Sequence, residues 1–261
     1  ERYDVATVYE LVLSLKNLLA KPEYRDVPLL GIDLSVPGRV NTMTGELQLS
    51  PQFDKDLFGE KNYIVNLFSR QFGVTVKMTN DIDLAGHAEM HRGLLAGVEN
   101  GMLVHVDEGI GGALVLGGKL YSGSQGFAGE VGRMRTEFEG RRDALDEFVS
   151  LRAVKARLGV KHTAEALALY ESDAAAREYV LATARCLGGV LKDIVELLDI
   201  STVVVSGRAT GFGDEYMRAV NEQIAEAVGS CTAVPTTLGG NASVIGAVAK
   251  AVESITDAAF E

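Results

Sequence analysis

Five short apolar runs punctuate this chain, at residues 29–36, 74–79, 102–106, 113–116 and 202–206. Each has strand length, and helical periodicity fills most of the sequence between them. In the first segment Val5, Val8, Leu11, Val12, Leu15, Leu18 and Leu19 recur at three- and four-residue steps, which puts them on one stripe of a helix. Asp4 is its expected N-cap, and Pro22 and Pro28 bracket its exit. Residues 29–36 read as a buried strand closed by Pro37-Gly38, and residues 41–50 as a small hairpin around Thr44-Gly45. A short helix is expected over 62–72, ending at Gly73, then a strand over 74–79 and a helix over 84–95. Strands alternating with crossover helices imply an α/β protein with a mostly buried sheet.

Glycines concentrate over residues 97–126. There two β runs flank Asp107-Glu108-Gly109-Ile110-Gly111-Gly112, which reads as a hairpin loop. Residues 143–199 read as helical, 214–228 as another helix, the neighbourhood of Val234 as a short strand and 242–255 as a final apolar helix. The expected organisation is an N-terminal α/β lobe over 1–96, a larger lobe over 97–241, and a final helix over 242–261 returning to the first lobe.

The 261 residues carry 25 Lys+Arg against 36 Asp+Glu, a formal net charge of −11. That balance excludes a chain that grips nucleic acid by its phosphates, which needs a basic patch. With 47% hydrophobic and 23% charged residues, it also excludes a disordered chain. Cys186 and Cys231 make no disulfide framework and read as free thiols in a reducing cytoplasm. No run is long and apolar enough for a membrane span, and no signal peptide is expected. The first residue is Glu rather than Met, so the chain is expected to be a piece of a longer one.

Several residues invite a chemical reading. Asn80-Asp81 ends a strand just before a helix, where ligands bind in α/β sheets and where a carboxylate can take a proton from a hydroxyl. The plainer reading makes Asp81, or Asp83, the helix cap. The glycines at 109, 111 and 112 could bring backbone N–H groups to an anion, but Asp107 and Glu108 beside them would repel a phosphate. Glu130, between Gly129 and Gly132, could accept from sugar hydroxyls or be an exposed loop acid. His87 and His91 stand four apart on a helix, a spacing that chelates metal, yet no further ligands are evident. His87-Ala88-Glu89-Met90-His91 is not the zinc-protease order, so they are expected to be ordinary surface histidines. His105 is expected to be structural or beside the site, and Cys186 a core residue.

Taken in order, the segments resemble the ROK family (repressor, open reading frame, kinase) and its NagC/XylR-type regulators. The matching pieces are residues 31–40 (Gly-Ile-Asp-Leu-Ser-Val-Pro-Gly-Arg-Val), Ser50-Pro51, Asn80-Asp81-Ile82-Asp83 and Gly109-Ile110-Gly111-Gly112-Ala113. They continue with 117–123, 126–132 (Gly-Phe-Ala-Gly-Glu-Val-Gly), 203–207 (Val-Val-Val-Ser-Gly) and 242–247. The resemblance implies an actin-like, ribonuclease-H-like ATPase fold with two lobes around a sugar and nucleotide cleft.

Carried over residue by residue, it implies a sugar site at Gly38, Asn80, Asp81, Glu130, Arg133 and Asp146, with Asp81 the general base in kinase members. A weak nucleotide site would use Gly109, Gly111, Gly112 and Gly207. The family's zinc normally uses a His with three Cys. Here Arg133 stands for that His and residues 134–145 hold no Cys, so no metal is expected. Acids at 107 and 108, and Ser206-Gly207-Arg208 in place of a Gly-rich adenosine turn, depart from the nucleotide half.

The resemblance thus implies a non-catalytic sugar-sensing domain of a cytoplasmic regulator, a repressor by family, with a helix-turn-helix outside this chain and a homodimeric or homotetrameric assembly. The alternatives are an ATP- and Mg²⁺-dependent sugar kinase and a degenerate dimerisation module.

Overall fold

The computed structural model describes residues 3–41, 43–50, 53 and 62–260. Pro51 of the Ser50-Pro51 segment lies outside the described residues. Helix α1 (Val5–Leu19) starts where Asp4 accepts from the Thr7 N–H while the Thr7 hydroxyl faces the Asp4 backbone, a reciprocal cap. Its buried residues, Val8 and Val12, meet strand β1 (Gly31–Val36), the short hairpin β2 (Arg39–Val40) and β3 (Leu47–Leu49), helix α2 (Tyr63–Phe72) and strand β4 (Thr75–Asn80). Val36, Val40, Ile64, Phe68, Val76 and Met78 complete this cluster. Gly73 ends α2 at φ 70°, the left-handed conformation that glycine adopts without penalty.

β1 and β4 pair in parallel, from Gly31 opposite Thr75 to Val36 opposite Asn80. The expectation of a buried strand at β1 is corrected. Among the described residues this sheet has only two strands, so β1 is an edge, and only Val36 is fully buried.

Helix α3 (Asp81–Arg92) leads to a five-stranded sheet. Its strands are β5 (Gly101–Val106), β6 (Ile110–Leu116), β7 (Lys119–Tyr121), β10 (Thr202–Ser206) and β11 (Thr232–Pro235), in the order β11-β10-β5-β6-β7. The β-branched runs at its centre alternate between two covers, as the two-residue period of a strand requires. Met102, Val104, Val106, Val203 and Val205 point into the main core. That core is built with α4 (Asp146–Val149), α5 (Leu151–Leu158), α6 (Thr163–Ser172), α7 (Ala174–Leu198) and α8 (Asp214–Ile224). Leu103, Val204, Ala113 and Val115 face the other way, toward Ala85 and Ala88 of α3 and Ala242 of the last helix, α9 (Ala242–Phe260). Pro235 sits at the end of the edge strand, where the missing N–H costs no ladder bond.

Three boundaries differ from expectation. Residues 135–144 form a hairpin, β8 (Arg135–Phe138) with β9 (Arg141–Ala144), so the helical region read from 143 starts only at Asp146. Their charged alternation carries no apolar period. Residues 214–228 are helical only to Ile224. Finally, α3 begins three residues earlier than its apolar stripe suggests, because Asn80 caps it.

Helix α9 packs against α3 at a glycine. A Cβ on Gly246 would stand 1.7 Å from the Leu84 carbonyl oxygen, so the two backbones touch. This contact carries the end of the chain alongside α3, and Lys250 of α9 reaches Asp33 of β1 (3.7 Å) and donates to the Thr79 hydroxyl of β4 (2.6 Å).

Candidate functional site

The first turn of α3 organises the site. Asn80 Oδ1 accepts from the backbone N–H groups of Ile82 and Asp83 (2.9 and 3.1 Å), while Nδ2 donates to the Gly38 carbonyl (2.7 Å). The cap is therefore Asn80, and the readings of Asp81 or Asp83 as the cap are corrected. An amide serves better here, because one side both closes the helix and ties it to the turn after β1. Asp81 is released from capping, apart from one bond accepted from the Ile82 N–H (3.0 Å).

Two carboxyl groups in this turn are buried and shifted. Burial pushes Asp81 up to about 6, against the opposing pull of the Ile82 N–H. Burial also raises Asp83 to about 6, with Lys250 lowering it and Asp81 and Glu130 raising it. Among the described residues no cation contributes to the Asp81 shift. A carboxyl group that titrates near neutrality and lacks a counter-ion suits proton transfer or hydrogen bonding to a hydroxyl.

Glu130 lies opposite, but it is not free. Arg39 grips it with both arms, Nε to Oε1 at 2.9 Å and Nη2 to Oε2 at 2.8 Å. Arg39 also lies over the Phe127 ring at 5.3 Å. Arg133 contributes less than its position implied. Its side chain is 61% exposed, and its Nε stands 3.8 Å from Glu130. Asp146 starts α4 and accepts from the Ile110 N–H (2.7 Å), with burial raising its carboxyl. It faces Gly109 and Gly132, where an added Cβ would come within 3.7 and 3.0 Å of its oxygens. Asn80 thus ties Gly38 to the start of α3, and Glu130 is near enough to Asp83 and Asp146 to raise both carboxyls, with Arg133 exposed beside it.

The loop holding Glu130 needs glycine. Gly129 has φ 87°, and a Cβ there would lie 2.1 Å from the Gly112 carbonyl oxygen. This explains Gly112, and it corrects the reading of residues 107–112 as one loop. Gly111 and Gly112 lie in β6, paired with His105 and Val104. They serve close packing against Ile82 and Gly129 rather than presenting a glycine loop. Only 107–109 form the turn.

At that turn Arg208 closes over two acids. Its Nε contacts both Asp107 oxygens at 3.0 Å, and its Nη2 reaches Asp107 (2.5 Å) and Glu108 (2.9 Å). Lys155 of α5 holds Glu108 at 2.5 Å. Burial pushes the Asp107 carboxyl up, but the hydrogen bonds from Arg208 and from the Arg208 and Glu108 N–H groups outweigh it and hold the group below its usual value. The expectation of bare negative charge is thus corrected, because two cations neutralise the two acids. Gly207 (φ 92°) brings Arg208 into place by packing on the Val106 carbonyl, 2.3 Å from where a Cβ would sit. The Glu108 N–H donates to Asp107 Oδ1 (2.7 Å) and the Asp107 N–H to the Gly109 carbonyl (2.9 Å). A nucleotide tail needs such groups free, so the turn as built does not fit a phosphate.

The family zinc also lacks its donors. The region after Glu130 offers Arg133 and the β8–β9 hairpin, braced by Arg141 over Phe148 at 4.7 Å. Cys186 lies on α7 and Cys231 before β11, both as free thiols. The residues present do not fit that metal. His105 Nδ1 lies 3.0 Å from the Ser206 hydroxyl, and burial lowers its ring below the ordinary imidazole range.

Sequence reasoning missed the partners rather than the acids. Arg39, Lys155 and Lys250 come from distant segments, and no local spacing marks them. The adjacency of Arg39 to Gly38 at a strand end was the one available signal for it.

The chain spans about half the length of the curated repressors it matches. It is 24% identical over 221 residues to the xylose repressor of Caldicellulosiruptor bescii, covering 75% of this chain and 54% of that protein. It is 29% identical over 158 residues to the N-acetylmannosamine kinase of Escherichia fergusonii, covering 56% of this chain and 54% of that one. Among solved structures it superposes on the ROK hexokinase of Thermus thermophilus with a TM-score of 0.79 at 24% identity, over 97% of this chain and 87% of that one. The likeness gives the chain the actin-like ATPase fold. The family model described as the ROK family matches residues 5–253, and the chain belongs to that family.

Proposed function

We propose that this chain is the non-catalytic, sugar-sensing, effector-binding portion of a ROK-type transcriptional regulator, in which a helix-turn-helix outside the chain meets DNA. The observation that carries this reading is Arg208 clasping Asp107 and Glu108 across the turn that a kinase would open to phosphate. At the start of α3, the groups suited to sugar hydroxyls, Asp81 and Asp83 beside Asn80, are retained, with Glu130 acting on Asp83. The net charge of −11 fits a sensor that leaves the phosphates of DNA to another segment. Ligand would bind one arrangement of the two lobes better and shift an existing equilibrium. A cytoplasmic homo-oligomer belongs to the same reading.

A second reading, an ATP-dependent sugar kinase, is favoured by one observation: Asp81 titrates near 6, where a general base works well. One experiment separates the two. Calorimetric titration with xylose, glucose, N-acetylglucosamine and N-acetylmannosamine is expected to give heat with one of them, abolished in Asp81→Asn. A coupled ADP-release assay with the same sugars is expected to stay at background. No heat with any of the four in folded protein would remove the sensing reading for this set. ADP release that is lost in Asp81→Asn would establish the kinase.

A further inference from the structure

The histidines that spacing alone leaves as surface groups acquire a third partner in the fold. Gly246 of α9 touches Leu84 of α3, and seven residues further along each helix, about two turns, Glu253 meets His91. His91 Nε2 stands 2.8 Å from Glu253 Oε1. His87, one turn before His91, stacks on it with ring centroids 6.0 Å apart and planes 2° from parallel. One ligand atom from each of His87, His91 and Glu253 lies within 4.8 Å of the others. His87 Nδ1 is buried with no hydrogen-bond partner, an orphan that a buried polar atom rarely remains.

These residues line a cavity of about 780 Å³ that also reaches Asn80, Asp83 and Lys250. The nearby ammonium of Lys250 is turned aside, onto Asp33 and Thr79.

We propose that His87, His91 and Glu253 form a divalent-metal site of the zinc class that clips the final helix α9 to α3. Two imidazoles and a carboxylate are the donor set borderline cations take, and three protein ligands leave a fourth position open toward the cavity. In a tetrahedron with bonds of about 2.0–2.2 Å the ligand atoms stand roughly 3.4 Å apart, so small rotations of the three side chains suffice. The site is distinct in its residues from the Arg133 region where the family zinc would fall. It shares α3 with Asn80, Asp81 and Asp83, so metal at one end of the helix steadies the turn that holds the acids at the other. Because the ion binds only the folded arrangement, it raises the unfolding temperature by mass action.

The test strips the purified full chain with EDTA, removes the chelator, and titrates ZnCl₂ against a chromophoric competitor while thermal unfolding is followed in parallel. One Zn²⁺ per chain and an unfolding temperature that climbs with ZnCl₂ are expected. His91→Gln and Glu253→Gln, both at partly exposed positions, are each expected to weaken binding about tenfold or more and to flatten the thermal response, with unchanged far-UV circular dichroism. His162→Gln, remote from the site, is expected to bind as the parent does. Absence of stoichiometric binding, or binding by His91→Gln and Glu253→Gln equal to the parent, would overturn the assignment.

Discussion

Two turns of this molecule hold the same kind of residue and treat it in opposite ways. At the start of α3, Asp81 is buried with no cation among the described residues acting on it, and its carboxyl rises to about 6. At the end of β5, Asp107 is also partly buried, yet Arg208 bonds to both its oxygens and its carboxyl falls below the usual range. Burial raises both groups, and the partner decides the sign. The α3 turn keeps unspent capacity for a ligand's hydroxyl or proton, whereas the β5 turn has spent its capacity on Arg208 and Lys155. That asymmetry between a receptive α3 turn and a self-satisfied β5 turn underlies the functional proposal.

The comparison breaks most severely at Gly129. Gly129→Ala must place a Cβ 2.1 Å from the Gly112 carbonyl oxygen at φ 87°, so the 129–132 loop has to leave β6 and carry Glu130 away from Arg39. A loss of roughly 3 kcal/mol is expected, or an unfolding midpoint lower by about 6–12 °C, readable by calorimetry. A midpoint within 2 °C or so of the parent would show that the loop is not pinned there.

A smaller effect, with a pH signature, sharpens the α3 side. Asp81 has a folded-state value near 6 against 3.8 for the free group, so the folded chain holds this proton more tightly than the unfolded chain. The stability it lends is present below about pH 4 and lost as pH rises through 6. Asp81→Asn, which cannot ionise, is therefore expected to be more stable than the parent at pH 8 by roughly 1–2 kcal/mol, with the gap closing by about pH 4. Urea melts at both pH values check it; equal stability at pH 8 would mean the carboxyl is not desolvated.

On the β5 side the expected effect is smallest and runs the other way with pH. Asp107 is depressed, so its pairing stabilises above the ordinary carboxylate range and fades in acid. The Arg208 side chain is 53% exposed, so solvent screens the pair, and Arg208→Ala is expected to cost under about 1 kcal/mol at pH 7, with the cost shrinking as acid protonates Asp107. Carboxyl carbon shifts in NMR should show Asp107 titrating at a higher pH in the variant. An unmoved titration would mean Arg208 does not set it.

Much of the architecture is legible in the residue order. The run of three valines at 203–205 has only one plausible environment, a strand covered on both faces, and the structure buries all three completely. The apolar stripe of α1 and the glycine ending α2 are equally local signals. Where local signals fail, the reason is consistent. Residues 135–144 lack an apolar period because the hairpin they form is half exposed, so neither helix nor strand is marked. Gly111 and Gly112 look like a loop because glycine usually signals one, but here it answers the close approach of Ile82 and Gly129 from other parts of the chain. At the site, the acids at 81, 130 and 146 could be named from sequence, since their segments match a family. Their partners could not, since Arg39 reaches Glu130 and the Ile110 N–H reaches Asp146 only once distant segments have met.

By itself the amino-acid order determined most of the strands and helices and the alternation that buries the central sheet, because these rest on periodicity within neighbouring residues, and its ordered motifs carried the resemblance to the family. Only the tertiary structure decided which acids are neutralised, that Asn80 rather than an aspartate caps α3, and that Glu253 stands beside two histidines more than 160 positions earlier in the chain. Those outcomes depend on electrostatic and packing terms that fall off within a few ångströms, and such distances exist only once remote segments have been brought together.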